Sequence, residues 1–440
     1  YACRLYFPYT ASGSRHWPFL FPRLGLDYMV TPSVPIASLS SLHTLKSISG
    51  VFITDEDVPQ LAKLPLLEQL DFMTNDNTDF SALKECRKLW KLKAESRGKL
   101  NVGSLSAVAS LTHLSLSSLS REIPGNEEKE LEYRDLAKLK GLKCLYLAIR
   151  RLSAVDLQGS RESLVALQIE WSDVDDLTAL GDMKALRYLL INGCEHLNAS
   201  GIRLSPILRS LFFVNLNMLE SLSFLNGAES LVSCELSNCP GMSALPKLAM
   251  PLVNLKVLNI GGCGLLPDTS GLASMPALES LMFGFQGKEI TGFDSLKSLM
   301  SVSIGSTTLE RIPTASPEAP IVKAHLSCGK SLTSIDGIST WRSLCSLEID
   351  LGGKVLDISP LASLTSLQYL ELTGGESVKD ITPLTKMAWL KTLDLTRSAV
   401  GSPGNTDLLK KALPGCQVFG KVEQKDADED EEVPAEEELE

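Results

Sequence analysis

Leu231-x-x-Cys234-x-Leu236-x-x-Cys239-x-x-Met242, then Leu255-x-x-Leu258-x-Ile260-x-x-Cys263-x-x-Leu266: one spacing is written twice within 36 residues. Apolar or thiol side chains at positions 1, 4, 6, 9 and 12 of each copy describe a short strand whose alternate residues turn inward and whose inward set continues into a turn. Such a unit has one apolar side and cannot bury it alone, so the spacing calls for copies stacked on both flanks. Working outward, position 1 falls at Leu42, Leu67, Leu89, Leu111, Leu142, Leu164, Leu186, Leu208, Leu231, Leu255, Leu278, Leu299, Ile321, Leu344, Leu367 and Leu390. These are sixteen repeats. Fourteen of the fifteen steps lie between 21 and 25 residues, and the step from Leu111 to Leu142 is 31.

On these residues the chain resembles the leucine-rich repeat family over about 360 of its 440 residues. The resemblance implies an α/β solenoid, a leucine-rich repeat horseshoe with parallel strands on the concave face and short 3-10, irregular or helical segments on the convex face. It implies a frame for presenting a surface and fixes no activity. Asp176-Leu-Thr-Ala-Leu180, Asp357-Ile-Ser-Pro-Leu361 and Asp380-Ile-Thr-Pro-Leu384 mark the outer turns, with Asp capping and Pro at the first positions. The last two are similar to the 22-residue repeats of phosphatase-regulatory and bacterial internalin-like proteins. Leu409-Lys-Lys-Ala-Leu413-Pro-Gly-Cys416-Gln-Val418 resembles the closing segment of many intracellular leucine-rich repeat domains.

The domain organisation follows. Residues 1–38, rich in aromatic rings and proline, read as a capping segment over the open first coil. The alternative is the remnant of an organelle-targeting segment, because no acid precedes Asp27. Residues 39–400 are the repeat domain, with a charged, helix-prone insertion at 120–138; 401–420 close it. Residues 421–440 hold eleven acids against Lys421 and Lys425, too polar to pack, and read as a disordered tail that solvates the chain or meets a basic partner. Of the formal net charge of -11, the tail carries -9 and the body only -2. A body so nearly neutral argues against nucleic acid as the primary partner. No apolar run is long enough to span a membrane.

Ten cysteines and five histidines carry no metal or catalytic pattern. There is no C-x2-C pair, no G-x-S-x-G, and no phosphate loop with its lysine, so no catalytic residue, metal or cofactor is expected. Gly261-Gly262 and Gly374-Gly375 follow strands where the chain begins its turn and lack the helix that a phosphate site needs. Cys194, Cys239 and Cys263 fall at position 9, and Cys234 at position 4. Stacked coils bring Cys239 and Cys263 within disulfide reach at a strand spacing of about 4.8 Å. The paired-cysteine caps of secreted repeat proteins are missing, so buried, reduced thiols and an intracellular setting are expected: cytoplasm, cytoskeleton or organelle interior, mitochondrion included.

A binding surface must come from the strand positions that face away from the core. Large side chains there are Tyr146, Trp171, Tyr188, Leu190, Phe212, Val214, Met282 and Phe285, an apolar patch of the kind that marks an interface. The competing reading is that the rings merely favour sheet or are covered by the N-terminal segment. Ser237, Gly261, Gly284, Ser303, Gly305 and Ser327 leave a smooth floor, and Glu348, Asp350, Glu371 and Asp394 form an acidic strip edged by Arg397. The expected function is a non-enzymatic scaffold that binds a protein partner on its concave face as a subunit of a larger complex, such as a ribonucleoprotein or cytoskeletal assembly. Two alternatives stay open at this point. One is a recruiting subunit of a phosphatase or ubiquitin ligase; the other is an adhesion protein of internalin-like type.

Overall fold

Period-two alternation sets every strand. The structure, a computed structural model, describes Ile36 and residues 43–421 apart from 75–77, 97–99, 119–133, 150, 153, 175–176, 195, 198–201 and 243–244. Two units divide it at Leu299 and Met300. The first carries β1 (Ser47–Phe52), β2 (Gln69–Thr74), β3 (Lys91–Ser96), β4 (His113–Ser118), β5 (Cys144–Ala148), β6 (Arg151–Leu152), β7 (Ala166–Glu170), β8 (Asp173–Val174), β9 (Tyr188–Asn192), β10 (Ser210–Val214), β11 (Ser233–Ser237), β12 (Val257–Ile260) and β13 (Ser280–Phe285). The second carries β14 (Ser301–Ser306), β15 (Lys323–Ser327), β16 (Ser346–Asp350), β17 (Tyr369–Thr373), β18 (Thr392–Asp394) and β19 (Gln417–Phe419).

Within each unit successive coils pair in parallel and in register, so equal positions of the repeat become neighbours. Leu211, Cys234, Leu258 and Leu281 form one inward row in the first unit. Leu347, Leu370, Leu393 and Val418 form one in the second. Positions 4 and 6 are shut from water, as at Leu189 and Ile191, both 0% exposed. Each leucine so buried contributes about 1.5–3 kcal/mol, and a row of them fixes register, because a one-residue slip would turn the whole row to water. β6 and β8 pair separately, with Leu152 and Val174 inward.

Most of the layer behind the strands is made of 3-10 turns, as coils this short demand, while Val58–Leu61 and Thr382–Thr385 are single α-helical turns. Ser270–Ser274, Asp336–Thr340 and Ser359–Ser363 each drop one apolar side chain, Leu272, Ile338 or Leu361, into the core. Asp357 sits before its turn and accepts both the Ser359 amide at 2.7 Å and the Ser359 hydroxyl at 2.9 Å; Asp380 accepts the Thr382 amide at 2.8 Å. This is an Asx turn that occupies orphan donors. Asp176 lies outside the described residues.

The first repeat is registered three residues later than the spacing implies. Ile48 pairs with Leu70, so Leu45 rather than Leu42 takes position 1, and Ser47 is an exposed strand residue rather than an inward one. After Ile48 the pairing shifts and Val51 meets Phe72, a bulge made at Gly50 with φ of 70°. The proposed N-terminal cap apart from Ile36, most of the charged insertion, and residues 422–440 lie outside the described residues. The end of the insertion, Arg134–Lys138, is an ordinary outer 3-10 turn with Leu136 buried. At the other end a helix, Pro403–Ala412, starts at Ser402, whose hydroxyl accepts the Asn405 amide, and leads to β19 alongside β18.

Candidate binding surface

The solvent side of the strands is read along rows that cross them. In the first unit Tyr146, Gln168, Leu190, Phe212, Glu235, Asn259 and Met282 are consecutive in-register partners on β5, β7, β9, β10, β11, β12 and β13. Tyr188 and Val214 flank this row. The register expected from the repeat therefore holds, and Tyr146, Tyr188, Leu190, Val214 and Met282 are half-buried on the outer face. Tyr146 and Tyr188 pack on Cys144 and Ala166, a small outer cluster of its own.

Two of the rings depart from expectation. Phe212 points away from the core but is only 9% exposed. Phe285 is 1% exposed and belongs to the core, packed edge-on against Phe283 at 6.4 Å. The cause is backbone conformation at the eighth repeat position. Trp171, Asn215, Asn238 and Gly262 take left-handed φ values there, between 50° and 74°, which end the strand. In β13 the chain instead stays extended, because Phe285 bridges to Leu266 and Gln286 donates to the Leu266 carbonyl at 2.9 Å. Alternation then runs one step further and carries Phe285 inward.

Trp171 is 40% exposed, its amide donates to the Asn192 carbonyl at 2.6 Å, and its ring lies over Gly193. A Cβ on Gly193 would sit 2.2 Å from that ring. Next to it the side chains of Asn192, Asn215 and Asn238 form a ladder, with Asn215 Nδ2 donating to Asn192 Oδ1 at 2.9 Å and Asn238 Nδ2 to Asn215 Oδ1 at 2.6 Å. The floor is less bare than its glycines imply, since Met282 leans over Gly261, 2.6 Å from where a Cβ would be. Gly305, in the second unit, faces open space.

Sequence reasoning passed over Gln168 and Glu170. Both face outward on β7 yet are 0% and 2% exposed, with Gln168 Nε2 donating to Glu170 Oε1 at 2.7 Å and the Tyr146 hydroxyl reaching Glu170 Oε2 at 3.4 Å. A polar pair at outward positions between Tyr146 and Leu190 was the available signal. The sequence-level expectation for the doubly substituted Trp171→Asp, Phe212→Asp chain is lost association at an unchanged melting temperature. Burial splits it: Trp171→Asp should leave melting nearly unchanged, whereas Phe212→Asp should cost about 2 kcal/mol, read by thermal melts of the two single variants. Equal melting of both would show Phe212 to be as open as Trp171.

In the second unit His325, Glu348, Glu371 and Asp394 are in-register partners across β15–β18. The His325 ring nitrogen Nδ1 lies 2.9 Å from Glu348 Oε2. Glu371 takes the Tyr369 hydroxyl at 2.9 Å and pairs with the Arg397 guanidinium. Burial, and then the hydrogen bond to Glu371, push the Tyr369 hydroxyl up to about 12, so it stays a donor at physiological pH. Two of the four expected acids also serve the backbone: Asp350 accepts the Gly352 amide at 2.9 Å, and Asp394 accepts the Thr396 amide at 2.9 Å and hydroxyl at 2.7 Å. His325 extends the row and was not foreseen, though its position in the repeat is that of Glu348. Among the described residues no three His, Cys, Asp or Glu side chains converge as metal ligands, and no helix is long and apolar enough to cross a membrane.

No family model matches the chain, and no curated protein sequence does. Solved structures do resemble it. A leucine-rich repeat protein of Leptospira interrogans superposes with a TM-score of 0.56 at 18% identity, covering 87% of this chain and 97% of its own. TLR13 in a complex with ssRNA13 superposes with a TM-score of 0.58 at 16% identity, covering 80% of this chain, which spans 55% of that one. In-register parallel strands, inward leucine rows, outer 3-10 turns and these neighbours together identify a protein of the leucine-rich repeat fold.

Proposed function

We propose that the chain is a non-enzymatic scaffold that holds a protein partner against the solvent side of its strands, as one subunit of a larger assembly, and that the partner brings basic side chains to the second unit. The observation that carries this reading is the row Glu348, Glu371 and Asp394, which sets like charges on adjacent strands. Directly opposed like charges weaken a sheet by about 0.2–1 kcal/mol per pair, and the partners within the chain, His325, Arg397 and the Thr396 amide, offset that repulsion one acid at a time without separating the three carboxylates. Lysine or arginine side chains of a partner would relieve that repulsion and be held by charge-assisted hydrogen bonds. Phe419, 48% exposed on β19 and opposite Asp394, adds an apolar contact at the end of the row. The half-buried rings of the first unit supply a second contact area of the amphipathic kind enriched at interfaces.

The test compares the intact chain with the Glu348→Lys, Glu371→Lys variant as baits for affinity purification and mass spectrometry. The expected result is a partner retained by the intact chain, released by salt, and lost from the variant, while the variant remains folded. A partner retained equally by both baits would end this assignment of the acidic row.

A further inference from the structure

Cys239 and Cys263 occupy the same place in consecutive coils. The strands before them run in register, Ser233 with Val257 and Cys234 with Leu258, and the Gly264 amide donates to the Cys239 carbonyl at 3.3 Å. The coils touch so closely here that a Cβ on Gly264 would sit 2.0 Å from the Met242 carbonyl oxygen. Parallel neighbours stand about 4.8 Å apart, inside the Cα separation that a disulfide spans. Both thiols are free; Cys239 is fully buried and donates to the Phe213 and Ser237 carbonyls at 3.8 and 3.6 Å, and Cys263 reaches solvent.

We propose that Cys263 is a peroxide-reactive thiol resolved by Cys239, so that oxidation closes a disulfide across two consecutive coils. The neighbouring Cys239 thiol holds the Cys263 thiol below its ordinary range, which favours the attacking thiolate. Cys263 beside it, together with burial, holds Cys239 far above its ordinary range, so Cys239 remains protonated until Cys263 has reacted. In the first step the Cys263 sulfur takes the terminal oxygen of a hydroperoxide. The O–O bond breaks, water or an alcohol leaves, and Cys263 becomes a sulfenic acid. In the second the Cys239 sulfur gives up its proton and attacks the Cys263 sulfur; the S–O bond breaks and water leaves. Two thiols lose two electrons and the peroxide gains them. Cys345 and Cys416 are exposed to a similar class but donate instead to the carbonyls of Ser343 and Gln417, and they serve as internal references.

The reduced full-length chain would be treated with a small excess of hydrogen peroxide, alkylated, digested without reduction and mapped by mass spectrometry. The expected product is a linked Cys239–Cys263 peptide two hydrogens lighter, formed several-fold faster than any change at Cys345 or Cys416, with a raised melting temperature for the linked chain. In Cys239→Ala the sulfenic acid should persist at Cys263 and be captured by dimedone. Cys263→Ser, altered at a partly exposed site, should lose the linked peptide and leave Cys239 alkylated only after unfolding. Oxidation of Cys263 no faster than that of Cys345 and Cys416, or its conversion to sulfinic acid with no linked peptide in the parent, would overturn the proposal.

Discussion

Replacing Trp341 with alanine is expected to cost about 3–5 kcal/mol and to loosen the second unit around β15–β17, the largest loss available from one side chain. Trp341 is fully buried, and its indole Nε1 donates to the Pro313 carbonyl at 3.1 Å. The reason for so large a side chain lies in the coil before it. Between β14 and β15 the outer layer forms no 3-10 turn among the described residues; Ile312 and Pro313 run irregularly instead. At the corresponding place later coils carry Leu364 and Met387, and the indole fills the extra space while satisfying a carbonyl that no turn reaches. Truncation would leave both a cavity and an unpaired acceptor. Hydrogen exchange of the β15–β17 amides reads the effect locally, so the outcome does not depend on two-state melting of the whole chain. Unchanged protection there would show that the ring is not the filler described.

Gly352→Ala should be as damaging, on the order of 4 kcal/mol, while Gly353→Ala should be nearly silent. Gly352 has φ of 55°, and a Cβ on it would lie 1.3 Å from the Gly329 carbonyl oxygen of the preceding coil. That neighbour is backbone and cannot swing aside. The next coil is tied to it as well, through the Gly375 amide donating to the Gly352 carbonyl at 2.7 Å. Both the left-handed backbone and the close approach therefore require glycine, and an added methyl must force two coils apart. At Gly353 a Cβ would meet only Glu376 Oε2 at 3.6 Å, an ordinary contact. Thermal melts of the two variants decide the matter, and equal melting would refute the backbone contact.

The repeat was legible because it is a statement about surface area. Leu255, Leu258 and Ile260 must leave water, one coil cannot hide them, and the period of their recurrence fixes both the strands and the neighbours of each strand. Outward position was legible for the same reason, which is why Tyr146, Leu190, Phe212 and Met282 fall in one row and Glu348, Glu371 and Asp394 in another. The misplaced start at Leu42 has a local cause. Leu42 and Leu45 are three residues apart and both satisfy the spacing, and only the pairing of Ile48 with Leu70 chooses between them.

Exposure was another matter, since it depends on what the rest of the chain does above a residue. Phe285 shows this most clearly: its inward turn was decided by a bridge to Leu266, nineteen residues earlier, that kept one backbone angle extended. Gln168 and Glu170 were closed from water by packing that no period records, and Met282 covered a glycine that read as bare. By itself, then, the sequence determined the inward leucine rows and, past the first repeat, which strands stand side by side, because burial of periodic apolar area leaves no other solution. Only the tertiary structure decided which outward groups still meet solvent, how the carboxylates are partnered, and that Cys239 is shut from water while Cys263 is not, because each of these turns on contacts between coils rather than on the pattern within one.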